Sequence, residues 1–249
     1  MKLRLMICAA AASTALFADD VVTTDTYGVL AVSDPDTHNT VVGVPWRNVS
    51  ATLSDVTLSN LVSTAGLTAG DKVYLYEETS AGSSVTTNWY EYVLSSAGVF
   101  EPSTTVYGKT VTPDAADVKT LPRGTGLIIQ RAANTNPIYL CGRYDTTSAG
   151  STTVPANSIA LIANPLTTEK TIANTVGSDG DEIRIPLDNG GLKVYTKKDG
   201  VWGTYVETTT PSPRGRGSVT TQTWTSGCVL AAGKGAWYVC GATAATIAW

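Results

Sequence analysis

The sequence predicts an all-β protein, two tandem and homologous β-sandwich-like repeats behind an N-terminal signal peptide. Three observations predict it. The stretch LPRGTGLIIQRAANTNPIYL (121–140) returns without a gap as LAAGKGAWYVCGATAATIAW (230–249), so that Leu121, Gly124, Gly126, Ala133 and Ile138 fall on Leu230, Gly233, Gly235, Ala242 and Ile247. Three further anchors recur in the same order, and collinear recurrence of this kind marks an internal repeat. The composition is rich in Thr, Ser, Val and Gly and only 15% charged, which suits exported β proteins better than helical enzymes.

The first 18 residues read as a signal peptide. Lys2 and Arg4 form a basic n-region, residues 5–12 an apolar h-region, and Ala15-Leu16-Phe17-Ala18 a small-residue cleavage site. Removal after Ala18 leaves a first repeat over 19–143 and a second over 144–249, joined through the Ser/Thr/Gly-rich segment around Tyr144 to Val154. No later run reaches the roughly 20 apolar residues of a membrane helix, so the protein is expected outside the cytoplasmic membrane, secreted or at the cell surface. Loss of Lys2 and Arg4 takes the 17 basic residues down by two against 21 acidic ones. Such an acidic chain argues against nucleic acid as a partner.

In chain order, DDVVTTDTYGVLAV (19–32) predicts one or two strands ended by the turn Asp34-Pro35-Asp36. Through Val21, Val22, Tyr27, Val29 and Val32 this segment is the candidate assembly strand, able to add to a neighbour's sheet edge. TVVGVPW (40–46) predicts an apolar strand stopped by Pro45, with SIALIANP (158–165) as its counterpart, each preceded by asparagine. Residues 58–62 and 171–176 each predict a single helical turn. Both lead to a Gly-Asp pair and then to alternating residues, GDKVYLY from Gly70 and GDEIRIP from Gly180. Next come two hairpins. Trp89 to Tyr92 runs to Gly98-Val99-Phe100, and Leu192 to Tyr195 runs to Gly200-Val201-Trp202, the second through an Asp-Gly turn. Long polar segments, 113–119 and 211–223, then reach the glycine-turn hairpins. There Gly124, Gly126, Gly233 and Gly235 are expected as structural turn glycines free to take positive φ. Leu127-Ile128-Ile129 and Trp237-Tyr238-Val239 supply the strand composition behind them. Strands of five or six residues are expected throughout.

Cys141, Cys228 and Cys240 remain after the leader, and export permits disulfides. Cys228 and Cys240 flank the second glycine turn on strands expected to pair. A bridge there closes a loop of about 13 residues and contributes about 3 kcal/mol in the chain-entropy account. Cys141 is then the odd thiol, either buried or paired between molecules. The first copy has Lys119 and Arg131 at the aligned places.

No catalytic constellation emerges. His38 is the one histidine and lies in the turn DPDTHN. Glu77, Glu78, Glu91, Glu101, Glu182 and Glu207 offer carboxylates for glycoside hydrolysis, but nothing in the sequence pairs them. Asp34, Asp36 and Asn39, and Asp179, Asp181 and Glu182, lack the twelve-residue calcium-loop pattern and read as solvated acidic turns. The chain therefore implies no metal and no cofactor. Its tryptophans and tyrosines, among them Trp46, Trp89, Trp224 and Trp237, read first as core and second as a sugar-stacking platform.

At LPRGTGLIIQR, NPIYLCG and GDKVYLY the chain resembles a loose group of exported, β-rich, internally duplicated bacterial proteins of unassigned function. They share the order NTVVGVPW, LTAGDKVYLY, a Trp/Tyr strand and the glycine-turn hairpin. The resemblance spans nearly all of the first half and, more weakly, the second, and it brings no catalytic residues. The expectation is a non-enzymatic structural protein of the cell exterior (a surface-layer, matrix or fibre subunit) whose partner is a further copy of itself. A carbohydrate-binding or adhesive module that takes a glycan is the alternative, and an outer-membrane β-barrel closed on the aromatic Trp249 the weaker one.

Overall fold

The computed structural model describes residues 26–32, 39–43, 56–81, 84–132, 136–144, 150–166, 168–187, 191–211 and 218–249. The expected signal peptide, Val21, Val22, His38, Trp46 and the Asp34-Pro35-Asp36 turn lie outside the described residues. Within them the protein is all-β, with one short helix, α1 (Leu58–Leu61).

Chain order gives first β1 (Thr26–Val32), β2 (Asn39–Gly43), β3 (Val56–Thr57), β4 (Lys72–Ala81), β5 (Ser84–Leu94), β6 (Phe100–Pro102), β7 (Thr105–Val106), β8 (Lys109–Thr110), β9 (Thr120–Leu121), β10 (Gly126–Gln130) and β11 (Ile138–Tyr144). They form an antiparallel five-stranded sheet, β2-β10-β4-β5-β6, and the pairs β1-β11, β3-β9 and β7-β8. Then come β12 (Ser151–Val154), β13 (Ile159–Ala163), β14 (Lys170–Thr171), β15 (Glu182–Pro186), β16 (Leu192–Lys198), β17 (Val201–Pro211), β18 (Ser218–Ser226), β19 (Val229–Leu230), β20 (Gly235–Val239) and β21 (Ala245–Ala248). These give a six-stranded sheet, β13-β20-β15-β16-β17-β18, and the pairs β12-β21 and β14-β19. The second pairing scheme retraces the first in the same chain order, with β7-β8 and β18 as the two departures. Among the described residues both large sheets are open, each with two edge strands.

Alternation decides which face each strand buries. On β4, Val73 and Leu75 turn inward to meet Tyr92 and Leu94 of β5, Leu127 and Ile129 of β10, Ile138 and Leu140 of β11, and Leu58 and Leu61 of α1. The second core repeats the plan with Ile183, Tyr195, Trp202, Ala236, Tyr238 and Ile247. Fully burying one such side chain contributes about 1.5–3 kcal/mol.

The two Gly-Asp pairs turn out to be buried staples. Gly70 and Gly180 take φ of 96° and 94°, and the aspartates that follow are fully buried. Asp71 Oδ2 accepts from the Thr68 N–H at 2.8 Å, and its Oδ1 from the Ala132 N–H at 2.9 Å. Asp181 does the same with Ser178 at 3.0 Å and Gly241 at 2.8 Å, and its Oδ2 also accepts from the Tyr238 hydroxyl at 2.8 Å. Each carboxylate thus pins the entry of a central strand to the chain just past the neighbouring strand. Bonds to an ionised acceptor are about twice as strong as neutral ones.

Several sequence expectations are corrected. Gly124 and Gly233 take positive φ, 85° and 65°. Gly126 and Gly235 do not: they open β10 and β20 and are needed because another backbone passes close by. Residues 171–176 form no helical turn; Val176 N–H closes a turn on Ala173 O at 3.0 Å, and Gly177 at φ 73° ends it. The strands expected at five or six residues include β4, β5 and β17 at 10, 11 and 11. The strands flanking Cys228 and Cys240 do not pair with each other: β19 pairs with β14, and β20 with β13 and β15. No disulfide joins Cys228 to Cys240, and all three thiols, Cys141 included, are buried. The assembly strand expected at Tyr27, Val29 and Val32 is β1, and one edge of it pairs with β11 of its own chain, from Thr26↔Tyr144 to Val32↔Ile138.

Candidate functional site

Two surfaces stand out, a seam between the two sheets and an arm at the outer edge of the second. The seam is built from reciprocal contacts. Gly43 N–H donates to Gly233 O and Ala163 N–H to Gly124 O, both at 2.9 Å. Val42 bridges Lys234 just as Ile162 bridges Thr125. A Cβ on Gly126 would lie 2.5 Å from Leu161 Cγ, one on Gly235 would lie 2.5 Å from Val41 Cγ1, and one on Gly43 would lie 2.4 Å from Ala163 Cβ. Side chains at these points would hold the two strand edges apart, so glycine sets the distance of approach.

Val41, Tyr74, Ile128 and Leu161 are buried in the seam with Tyr76, Trp89 and Trp237 packed around them. The Tyr76 and Trp237 rings stand 5.1 Å apart at 85°, and Tyr76 and Trp89 4.9 Å apart at 70°. These are edge-to-face packings that stabilise a core, not a coplanar row. At the rim Tyr107 holds φ 49° and is 72% exposed, its ring 6.2 Å from Tyr74 and inclined by 15°.

Several charged groups near these surfaces are engaged in structural bonds. Burial pushes the Glu91 carboxyl up, but hydrogen bonds from Ser103, Lys72 and Tyr74 outweigh it and hold the group below the usual carboxylate range. Glu77 pairs with Lys119, Glu182 with Arg184, and Glu207 accepts from Gln222. Asp179 accepts from the Gly200 N–H at 2.8 Å. Thus Asp179, Asp181 and Glu182, close in sequence, share no partner. Among the described residues no group of three or more His, Cys, Asp or Glu is placed to hold a metal ion. Burial pushes the Cys228 thiol up to about 12, with Lys193 partly opposing it. Burial likewise raises Cys240 and the Tyr238 hydroxyl, the latter further through its bond to Asp181.

No family model, curated protein or solved structure matches this chain. No helix of the described residues is long and apolar enough to cross a membrane.

The arm was not foreseen. Residues 211–223 read as a long polar connection, but most of them belong to a hairpin. The β16–β17 pairing ends at Thr196↔Gly203, whereas β17 and β18 remain paired residue by residue from Gly203↔Ser226 to Pro211↔Ser218. Beyond Thr204 the arm is exposed on both faces: Tyr205 to Thr210 on β17, and Thr220 to Thr223 on β18. Cross-strand contacts hold it together. Tyr205 and Trp224 rings stand 5.0 Å apart, Gln222 donates to Glu207 at 2.7 Å, and the Thr209 and Thr220 hydroxyls meet at 3.1 Å. At its base the Trp224 ring covers Gly203, where a Cβ would lie 2.5 Å from the indole. The β-branched and aromatic composition of SVTTQTWTS is the available signal, masked because threonine occupies both faces.

Proposed function

We propose that this protein is an exported, non-enzymatic structural subunit of the cell exterior, of surface-layer, matrix or fibre type, made from two copies of one β unit and assembling by strand addition. The observation that carries the reading is the arm, an ordered two-stranded projection exposed on both faces. A hairpin with no core of its own on either side is marginal in water, and contact with another molecule gives it a role. The leader-like first 18 residues support export. The recurring strand order, twin aspartate staples and reciprocal seam support duplication. Expression of the full chain in a bacterial host, with N-terminal sequencing of the extracellular fraction, tests the first point; a mature N-terminus at Asp19 is expected. Light scattering across concentration and electron microscopy test the second. Ordered assemblies are expected, and a persistent monomer overturns the reading.

A glycan-binding or adhesive role is the second reading, favoured by Tyr107. Tyr107 and Gly108, at φ 49° and 76°, form the two-residue turn of the β7–β8 hairpin, and that turn holds an exposed ring nearly parallel to Tyr74. Glycan-array binding that Tyr107→Ala abolishes would support it, and an array without signal would end it.

A further inference from the structure

We propose that β18 is a self-complementary docking strand, pairing antiparallel with β18 of a second copy of this chain about a two-fold axis at Gln222. This deepens the assembly reading and rests on it for its biological setting. The pairing itself is argued from the edge.

β17 takes one edge of β18 along all nine residues, and no described strand lies beyond the other. An antiparallel strand presents alternating N–H and C=O groups along such an edge, a template for another extended chain. Proteins usually blunt exposed edges with charge, proline, a bulge or short length. The outer edge of the first sheet is blunted this way: β6 has three residues and ends on Pro102. β18 carries none of these devices. SVTTQTWTS has no charged residue and no proline, and its register with β17 is unbroken.

The chemistry of the strand selects its partner. In the register that uses all nine residues, Gln222 sits on the axis, Thr221 faces Thr223 of the other copy, Thr220 faces Trp224, Val219 faces Thr225, and Ser218 faces Ser226. Every cross-strand pair is uncharged, and β-branched and aromatic neighbours are the pairs that stabilise a sheet. A charged peptide would gain no complementary group from this edge. An isologous contact closes on itself, so the two six-stranded sheets would run on as one. A nine-residue edge contact is small beside the roughly 1,600 Å² of a standard interface, which makes a weak, concentration-dependent dimer the expected species.

Sedimentation velocity of the purified full chain over a range of concentrations tests the register with a charge pair. Thr221 and Thr223 are both exposed, so substitution there leaves the cores intact. Thr221→Lys with Thr223→Lys sets lysine against lysine at both crossings, and dimerisation is expected to weaken at least about tenfold, the 1.4 kcal/mol equivalent. Thr221→Lys with Thr223→Glu sets lysine against glutamate at both, and the dimer is expected to return. The proposal is overturned if the unmodified chain stays monomeric, if the double-lysine variant associates as the parent does, or if the lysine–glutamate variant associates no better than the double-lysine one. Association that survives the double-lysine change leaves the structural reading standing and removes only this contact. A β18 dimer that never grows into ordered material does the opposite.

Discussion

Replacing Asp181 with alanine should cost more than the same change at Asp71, although the two aspartates occupy matching turns. Both accept from two backbone N–H groups, and Asp71 also from the hydroxyl of the exposed Thr68 at 3.3 Å, but only Asp181 accepts from a buried phenol, Tyr238. Ile129 holds the corresponding place on β10, opposite Val73 where Tyr238 stands opposite Ile183. A hydrogen bond to a charged group contributes about 1.5–3 kcal/mol, and a buried donor left without an acceptor costs about 1–3 kcal/mol. Asp71→Ala is therefore expected to lose about 2–3 kcal/mol and Asp181→Ala about 3–5 kcal/mol, a large share of the 5–15 kcal/mol of a typical domain. Adding Tyr238→Phe to Asp181→Ala removes the orphaned hydroxyl and should restore about 1–2 kcal/mol. Urea unfolding followed by tryptophan emission reads this directly, because Trp202 packs edge-on against Tyr238 at 5.9 Å. Equal losses at the two aspartates, or no relief from Tyr238→Phe, would refute the reasoning.

Two further outcomes follow from the titratable groups. Cys141, Cys228 and Cys240 should resist a thiol reagent at pH 8 in the folded protein and all react in denaturant, since burial keeps Cys228 protonated up to about 12; a Cys228–Cys240 disulfide in a non-reducing digest would contradict this. Glu91 has a folded pKa below its unfolded value, so its contribution is present above about pH 4.5 and lost as the pH falls through the folded value. Glu91→Gln should then flatten the acid limb of stability against pH, and an unchanged limb would count against the Ser103–Lys72–Glu91 network.

The parts of the fold legible in the sequence are those fixed by short-range chemistry. Gly70-Asp71 and Gly180-Asp181 announce a positive-φ turn followed by an acceptor, and Lys198-Asp199-Gly200 announces a tight hairpin in which Asp199 and Gly200 take φ of 51° and 75°. The alternation after Gly70-Asp71 sorts Val73 and Leu75, which enter the first core, from Tyr74, which enters the seam. The seam was hidden: Gly126 and Gly235 look like turn glycines, and only the approach of Leu161 and Val41 explains them. Asparagine as a landmark misled by two residues, since Asn39 pairs with Gln130 inside β2 while Asn157 sits in a turn at φ 55°. In β18 polarity does not alternate, so no period separates an exposed strand from a loop. Cys228 and Cys240 are close in sequence, but sequence proximity does not make strands neighbours: β19 pairs with β14, and β20 with β13 and β15.

The seam also has a consequence for biosynthesis. Gly43 is made long before Gly233, whose carbonyl receives its N–H. Until the strand that carries Trp237 is synthesised, the cluster of Val41, Tyr74, Ile128 and Leu161 lacks that ring as cover. Contacts this distant along the chain form slowly and leave nascent surfaces open to trapping. Two chains in production side by side then offer each other equivalent unfinished halves, and the error this architecture invites is a swap in which one molecule's first half captures another's second.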